Sequence, residues 1–153
     1  MSEQVVRLYL NVCCLQRPFD DQTQARIRLE AETTKLILDR IENGQFEWLT
    51  SEVVDYEIAQ NPDGERALKA KLLADHAGKK VIVDTNETTR AGEIERLGFT
   101  GFDALHLACA ESGDADVFLT TDDKLMKRAA RVSTKLDVRV ANPLQWAREN
   151  IIV

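Results

Sequence analysis

Two stretches carry the residue types best suited to chemistry. Gly101–Phe102–Asp103–Ala104–Leu105–His106–Leu107–Ala108 reads as a helix with an acid in its opening turn. Val117–Phe118–Leu119–Thr120–Thr121–Asp122–Asp123 reads as a buried strand that ends in a pair of acids. Carboxylates at the ends of neighbouring elements, with only a short turn between those elements, can converge on one point. Converging carboxylates repel and raise one another's pKa unless a cation sits among them. Mg²⁺ and Mn²⁺ prefer oxygen ligands, so the pattern points to a hard-metal site.

The remaining elements decide whether other polar groups are aimed the same way. Val5–Val6–Arg7–Leu8–Tyr9–Leu10 is a short apolar run with no helical period, a buried first strand closed by Asn11. Val12 to Phe19 leads out as an apolar turn or loop. Asp20–Asp21–Gln22–Thr23 supplies helix-start chemistry for a helix whose apolar stripe ends at Ile41, and Asn43–Gly44 stops it. Phe46 to Thr50 is a second strand, and Ser51 is a natural N-cap for a helix over Glu52–Ala59 that carries Glu57. A helix over Glu65–His76, a third strand at Lys80–Asp84 and a helix over Thr88–Leu97 follow. The Asp103 helix then runs to Ser112–Gly113. The fourth strand is Val117–Thr121, Lys124–Ala130 is a basic helix, Val138–Val140 is a fifth strand, and Pro143 opens a terminal helix.

Short apolar strands alternating with amphipathic helices predict an α/β fold with a parallel sheet covered on both faces. In such sheets ligands bind beyond the carboxyl ends of the strands, at the switch point of the strand order. Asn11 and Asp122 both lie just past strand ends. Glu57 and Asp103 sit on helices that can lean over the same edge.

The chain has 153 residues, 44% hydrophobic and 30% charged, which predicts one domain over 1–153 with a single core. It has no apolar run long enough to cross a bilayer and no signal-peptide pattern at Met1–Gln4, and Cys13, Cys14 and Cys109 read as free thiols of a reducing compartment. A cytoplasmic location is expected. The net charge of −6 argues against a non-specific nucleic-acid coat protein, which would normally be basic. It leaves open an enzyme that meets a phosphate backbone through a metal and a local basic patch.

Leu8–Tyr9–Leu10–Asn11, Ser51 with Glu57, Asp-Ala-Leu-His-Leu-Ala from Asp103, and Thr120–Thr121–Asp122 occur in an order and spacing that resembles the PIN domain. The closest likeness is to small toxins of the VapC type. The resemblance implies a three-layer α/β/α sandwich around about five parallel strands, and an acidic pocket for Mg²⁺ or Mn²⁺. It also implies endoribonuclease activity on single-stranded RNA or tRNA within a toxin–antitoxin system, an antitoxin partner, a homodimer and no membrane. By position Glu57, Asp103 and Asp122 match the family's second, third and fourth acids. Asn11 stands where the family usually has its first Asp.

Under that resemblance a metal-activated water would hydrolyse the phosphodiester. Asn11, Asp103 and Asp122 would be ligands, Glu57 a ligand or a water-orienting group, and Ser51 and Thr120 would hold the carboxylates in place. Asp123 reads either as the cap of the next helix or as an auxiliary ligand. Arg17, Lys124, Lys127 and Arg128 are a solvated face or a path for phosphate backbone. His106 reads as a packed histidine or a general base, and Cys13–Cys14 as core. Asp20, Asp21 and Asp84 are further acids that could compensate for Asn11. A catalytically inactive RNA- or protein-binding module on the same scaffold is the alternative. A phosphoacceptor receiver domain fits less well, because Asn11 has no acidic neighbour and Asn142–Pro143 offers no Lys.

Overall fold

Leu8, Tyr9 and Leu10 are all buried, an unbroken apolar run of the kind a strand shows when both its faces are covered. They belong to β1 (Val6–Leu10), the middle strand of a computed structural model that describes residues 5–151. With β2 (Phe46–Ser51), β3 (Lys79–Val81), β4 (Val117–Leu119) and β5 (Arg139–Ala141) it forms a five-stranded sheet in the order β3-β2-β1-β4-β5, and every pairing is parallel. The helices are α1 (Val12–Gln16), α2 (Ala25–Glu42), α3 (Glu52–Ala59), α4 (Gly64–Ala74), α5 (Thr85–Glu95), α6 (Gly101–Ser112), α7 (Asp123–Arg131) and α8 (Pro143–Asn150).

Strand parity sorts these helices into two outer layers. Tyr9 stands in register with Leu49 and Phe118, so all three point to one face, where α6 brings His106 against Tyr9. Phe46 points to the other face and packs edge-on against Trp146 of α8, which lies beside α2. The result is the three-layer α/β/α sandwich that the sequence predicts.

Several element boundaries differ from the sequence expectation for identifiable reasons. Val12–Phe19 is not a loop: it forms α1 and a 3₁₀ turn at Arg17–Phe19, because burial of Val12, Cys14 and Leu15 draws it onto the core and the Asn11 side chain caps its start. β4 ends at Leu119 rather than Thr121, and Asp122, not Asp123, caps α7. β3 is shorter than predicted because Asp84 leaves the sheet to cap α5, which therefore starts at Thr85. No helix among the described residues is long and apolar enough to cross a membrane.

Candidate active site

The strand order reverses at β1, whose two neighbours are reached by connections running in opposite directions. The crevice beyond the carboxyl ends of β1 and β4 is therefore the topological switch point. Asn11 follows β1 directly, and its backbone N–H reaches the Leu119 carbonyl at 2.9 Å. Its side-chain Oδ1 accepts from Val12 N–H at 2.9 Å, while Nδ2 donates to Thr120 Oγ1 at 3.0 Å. Thr120 Oγ1 also accepts from the Asp122 N–H at 3.1 Å. With both acceptor positions taken, its proton is free for Cys13 Sγ, 3.4 Å away. One buried hydroxyl thus ties the two strand ends together.

Asp122 caps α7 through Oδ1, which accepts from Lys124 N–H at 3.0 Å and Leu125 N–H at 3.2 Å. Asp103 sits in the first turn of α6, whose cap is Thr100. Burial pushes the half-buried Asp103 carboxyl above the usual carboxylate range, the Thr100 hydrogen bond and His106 oppose this, and Asp122 and Glu57 add to it. Glu57 therefore shares the field of the two aspartates, although it arrives on a different helix. Its Oε1 lies 3.5 Å from His106 Nε2. Ser51 is fully buried, caps α3 and holds the Tyr9 hydroxyl at 2.7 Å, and that hydroxyl is 2.7 Å from His106 Nδ1.

The other predicted residues sit elsewhere. Asp123 is exposed, and Arg26 grips both its oxygens at 2.7 Å and holds its carboxyl below the usual range. Arg17 joins Asp20 and the buried Glu30, each at 2.9 Å, and Arg128 donates to the Gly98 carbonyl. Lys124 and Lys127 are exposed on α7 beside Asp122. Asp20 is taken by Arg17 and Arg66, Asp21 closes a turn onto Thr23 N–H, and Asp84 caps α5. Cys13 is not simply core. Hydrogen bonding to Cys14, then to Thr120 and Thr121, brings its thiol down to about 6 against the opposing effect of burial.

Two residues escaped the sequence reading. Tyr56 and Phe102, each the immediate neighbour of a site acid, form an exposed aromatic pair with ring centroids 5.7 Å apart. An exposed aromatic beside an acid on each of two helices was the available signal. Among the described residues no ion pair joins Asp103 or Asp122 to a Lys or Arg, so the half-buried Asp103 carboxyl feels the exposed Asp122 carboxyl with no basic counter-charge paired to either. No group of three or more His, Cys, Asp or Glu among those residues forms a ready-made cage for an ion. The donor chemistry fits a hard divalent cation, with Asp103 and Asp122 as charged oxygens, Glu57 at the rim and the Asn11 amide as a neutral neighbour.

The PIN domain family model matches residues 25–132, well over half of the sequence. The chain belongs to the PIN domain family. Among solved structures, this PIN domain is similar to VapBC2 from Rickettsia felis bound to a DNA fragment from its promoter. That match has a TM-score of 0.59 at 14% identity and covers 90% of this chain and 98% of that one. It is also similar to VapBC-1 from nontypeable Haemophilus influenzae, with a TM-score of 0.55 at 13% identity over 90% and 98% of the two chains. A third similar structure is the sarcin-ricin loop cleaving toxin VapC20 of Mycobacterium tuberculosis, with a TM-score of 0.55 at 13% identity over 77% and 92%. At these identities the likeness is one of fold. No curated protein matches the sequence.

Proposed function

We propose that this PIN domain is a toxin endoribonuclease of a toxin–antitoxin pair that hydrolyses single-stranded RNA with Mg²⁺ or Mn²⁺. The observation that carries the reading is the Asp103 carboxyl. It is half-buried, raised further by Asp122 and Glu57, and without a basic partner among the described residues, at the switch point of a parallel sheet. A bound divalent ion would supply an activated water and positive charge for the crowded phosphorus transition state. Asp103 and Asp122 would hold it, and Glu57 would orient the water. Thr120 keeps Asp122 in place from behind, while Lys124 and Lys127 offer charge to the incoming backbone. Tyr56 and Phe102 present aromatic faces on which an unpaired base can stack.

The antitoxin would bind in the cleft of about 520 Å³ between α2 and α4, lined by Leu38, Ile41, Trp48, Leu73 and His76. A basic side chain of that partner would reach Asp103 and Asp122.

Asn11 favours a second reading, a PIN-fold module that binds RNA without cutting it, because a neutral amide removes one charge from the ion's surroundings. Single-stranded RNA cleavage by the native chain and by Asn11→Asp, with and without Mn²⁺, separates the two. Under the ribonuclease reading cleavage requires the metal, and Asn11→Asp raises its rate by roughly 10–100-fold, the scale of a lost supporting group at a metal site. If both proteins bind RNA and neither cuts it, the binding module is correct.

A further inference from the structure

Tyr9 and His106 are fully buried and stand outside the acid set, yet they connect directly to it. The Tyr9 hydroxyl lies 2.7 Å from Ser51 Oγ on one side and 2.7 Å from His106 Nδ1 on the other. Burial raises its pKa well above the usual tyrosine value, so it carries one proton and can donate to only one of these neighbours. The second imidazole nitrogen, Nε2, is buried with no hydrogen-bond partner and faces Glu57 Oε1 at 3.5 Å.

Proton counting separates the neutral arrangements. If Tyr9 donates to Ser51, Nδ1 must carry the imidazole proton, and Nε2 turns a bare lone pair toward a carboxylate. Two facing acceptors in a buried site are costly. If Ser51 donates to Tyr9 and Tyr9 donates to Nδ1, the imidazole proton sits on Nε2 and points at Glu57. Ser51 Oγ then still accepts from Val54 N–H, as its place at the start of α3 requires. A doubly protonated ring would place a full charge on a side chain that no solvent reaches.

We propose that His106 is a positioning residue for Glu57. The relay Ser51→Tyr9→His106 fixes the imidazole as its Nε2–H tautomer and aims that N–H at the Glu57 carboxylate. Glu57 thereby has a buried N–H donor 3.5 Å from its Oε1, which favours one orientation of its carboxylate toward the aspartates. The role of Glu57 rests on the ribonuclease reading; the direction of the relay does not.

The chain contains two histidines, exposed His76 and buried His106, so its imidazole ¹⁵N spectra contain two rings and His76 serves as an internal reference. The expected spectrum shows His106 as the Nε2–H tautomer. In Glu57→Gln its Nε2 resonance shifts while His76 is unchanged, and in Tyr9→Phe its Nδ1 resonance shifts. Ser51→Ala serves as the second variant and shifts Nδ1 in the same sense if Tyr9→Phe does not fold. An Nδ1–H tautomer, a doubly protonated ring, or an Nε2 resonance that ignores Glu57→Gln overturns the proposal, the last being what packing alone predicts. Absence of RNA cleavage alongside the expected spectra overturns the ribonuclease reading and leaves the relay standing.

Discussion

At the scale of single residues, the Thr120 hydroxyl takes hydrogen bonds from the Asn11 amide and the Asp122 N–H, so the ends of β1 and β4 are locked before any ligand arrives. Beside this rigid joint lies negative charge with no basic partner among the described residues. Asp103→Asn removes a carboxylate whose burial and acidic neighbours disfavour its charged form. The variant is expected to melt about 2–4 °C higher in metal-free buffer, the shift that roughly 1 kcal/mol gives in a chain of this size. Added Mn²⁺ should raise the melting temperature of the parent by binding linkage and leave the variant unmoved. A calorimetric scan with and without the ion checks both statements. The places of Asp122 just past a strand and of Asp103 in a first helical turn were legible in the sequence because both are local signals, whereas Glu57 lies late in α3 and its nearness to Asp103 is tertiary. The grip of Arg26 on Asp123 was not legible, since the two lie 97 positions apart and nothing local couples them.

At the scale of elements, α6, which presents Asp103, is braced along its side by α5. Glu87 closes the capping box of α5 by accepting from Asp84 N–H at 2.8 Å, and its other oxygen accepts from the Ser112 hydroxyl at the far end of α6. Ser112 first, then the Asp84 N–H, keep this carboxyl below its ordinary value of 4.5. A depressed carboxylate pKa contributes stability that is present above 4.5 and is lost as pH falls through the lower folded value. Glu87→Gln should therefore cost about 1 kcal/mol at neutral pH, the usual worth of a cap, with the deficit shrinking in acid. Urea unfolding of both proteins across that range measures it. Strong apolar periods made most helices and all five strands readable in order. Helix α1 was missed because five residues give no period, and beyond the local Asn11 cap its support, burial of Val12, Cys14 and Leu15 on the core, is tertiary.

At the scale of the whole molecule, the strand order brings residues from opposite ends of the sequence to one edge. The alternation of elements predicted a parallel sheet, but alternation does not state the order β3-β2-β1-β4-β5 that creates the crevice. Nor could local reading find Ser51, Tyr9 and His106 joined in a buried row, as these sit 42 and 97 positions apart along the chain. The same convergence lays Tyr56 against Phe102 beside the acids. Replacing both by Ala should weaken single-stranded RNA binding by about 1–3 kcal/mol per stacked base, with little change in melting temperature because both rings are exposed. Fluorescence anisotropy with a short labelled RNA reads this, and undiminished affinity would remove the pair from the binding surface.

The central claim is that side chains from α3, α6 and the end of β4 gather around one divalent ion. Anomalous diffraction from crystals soaked in Mn²⁺ tests it most directly. The account predicts a peak within ligand distance of Asp103 and Asp122, with Glu57 beside it. A well-ordered site with no peak there, or with manganese bound only elsewhere on the molecule, would contradict it.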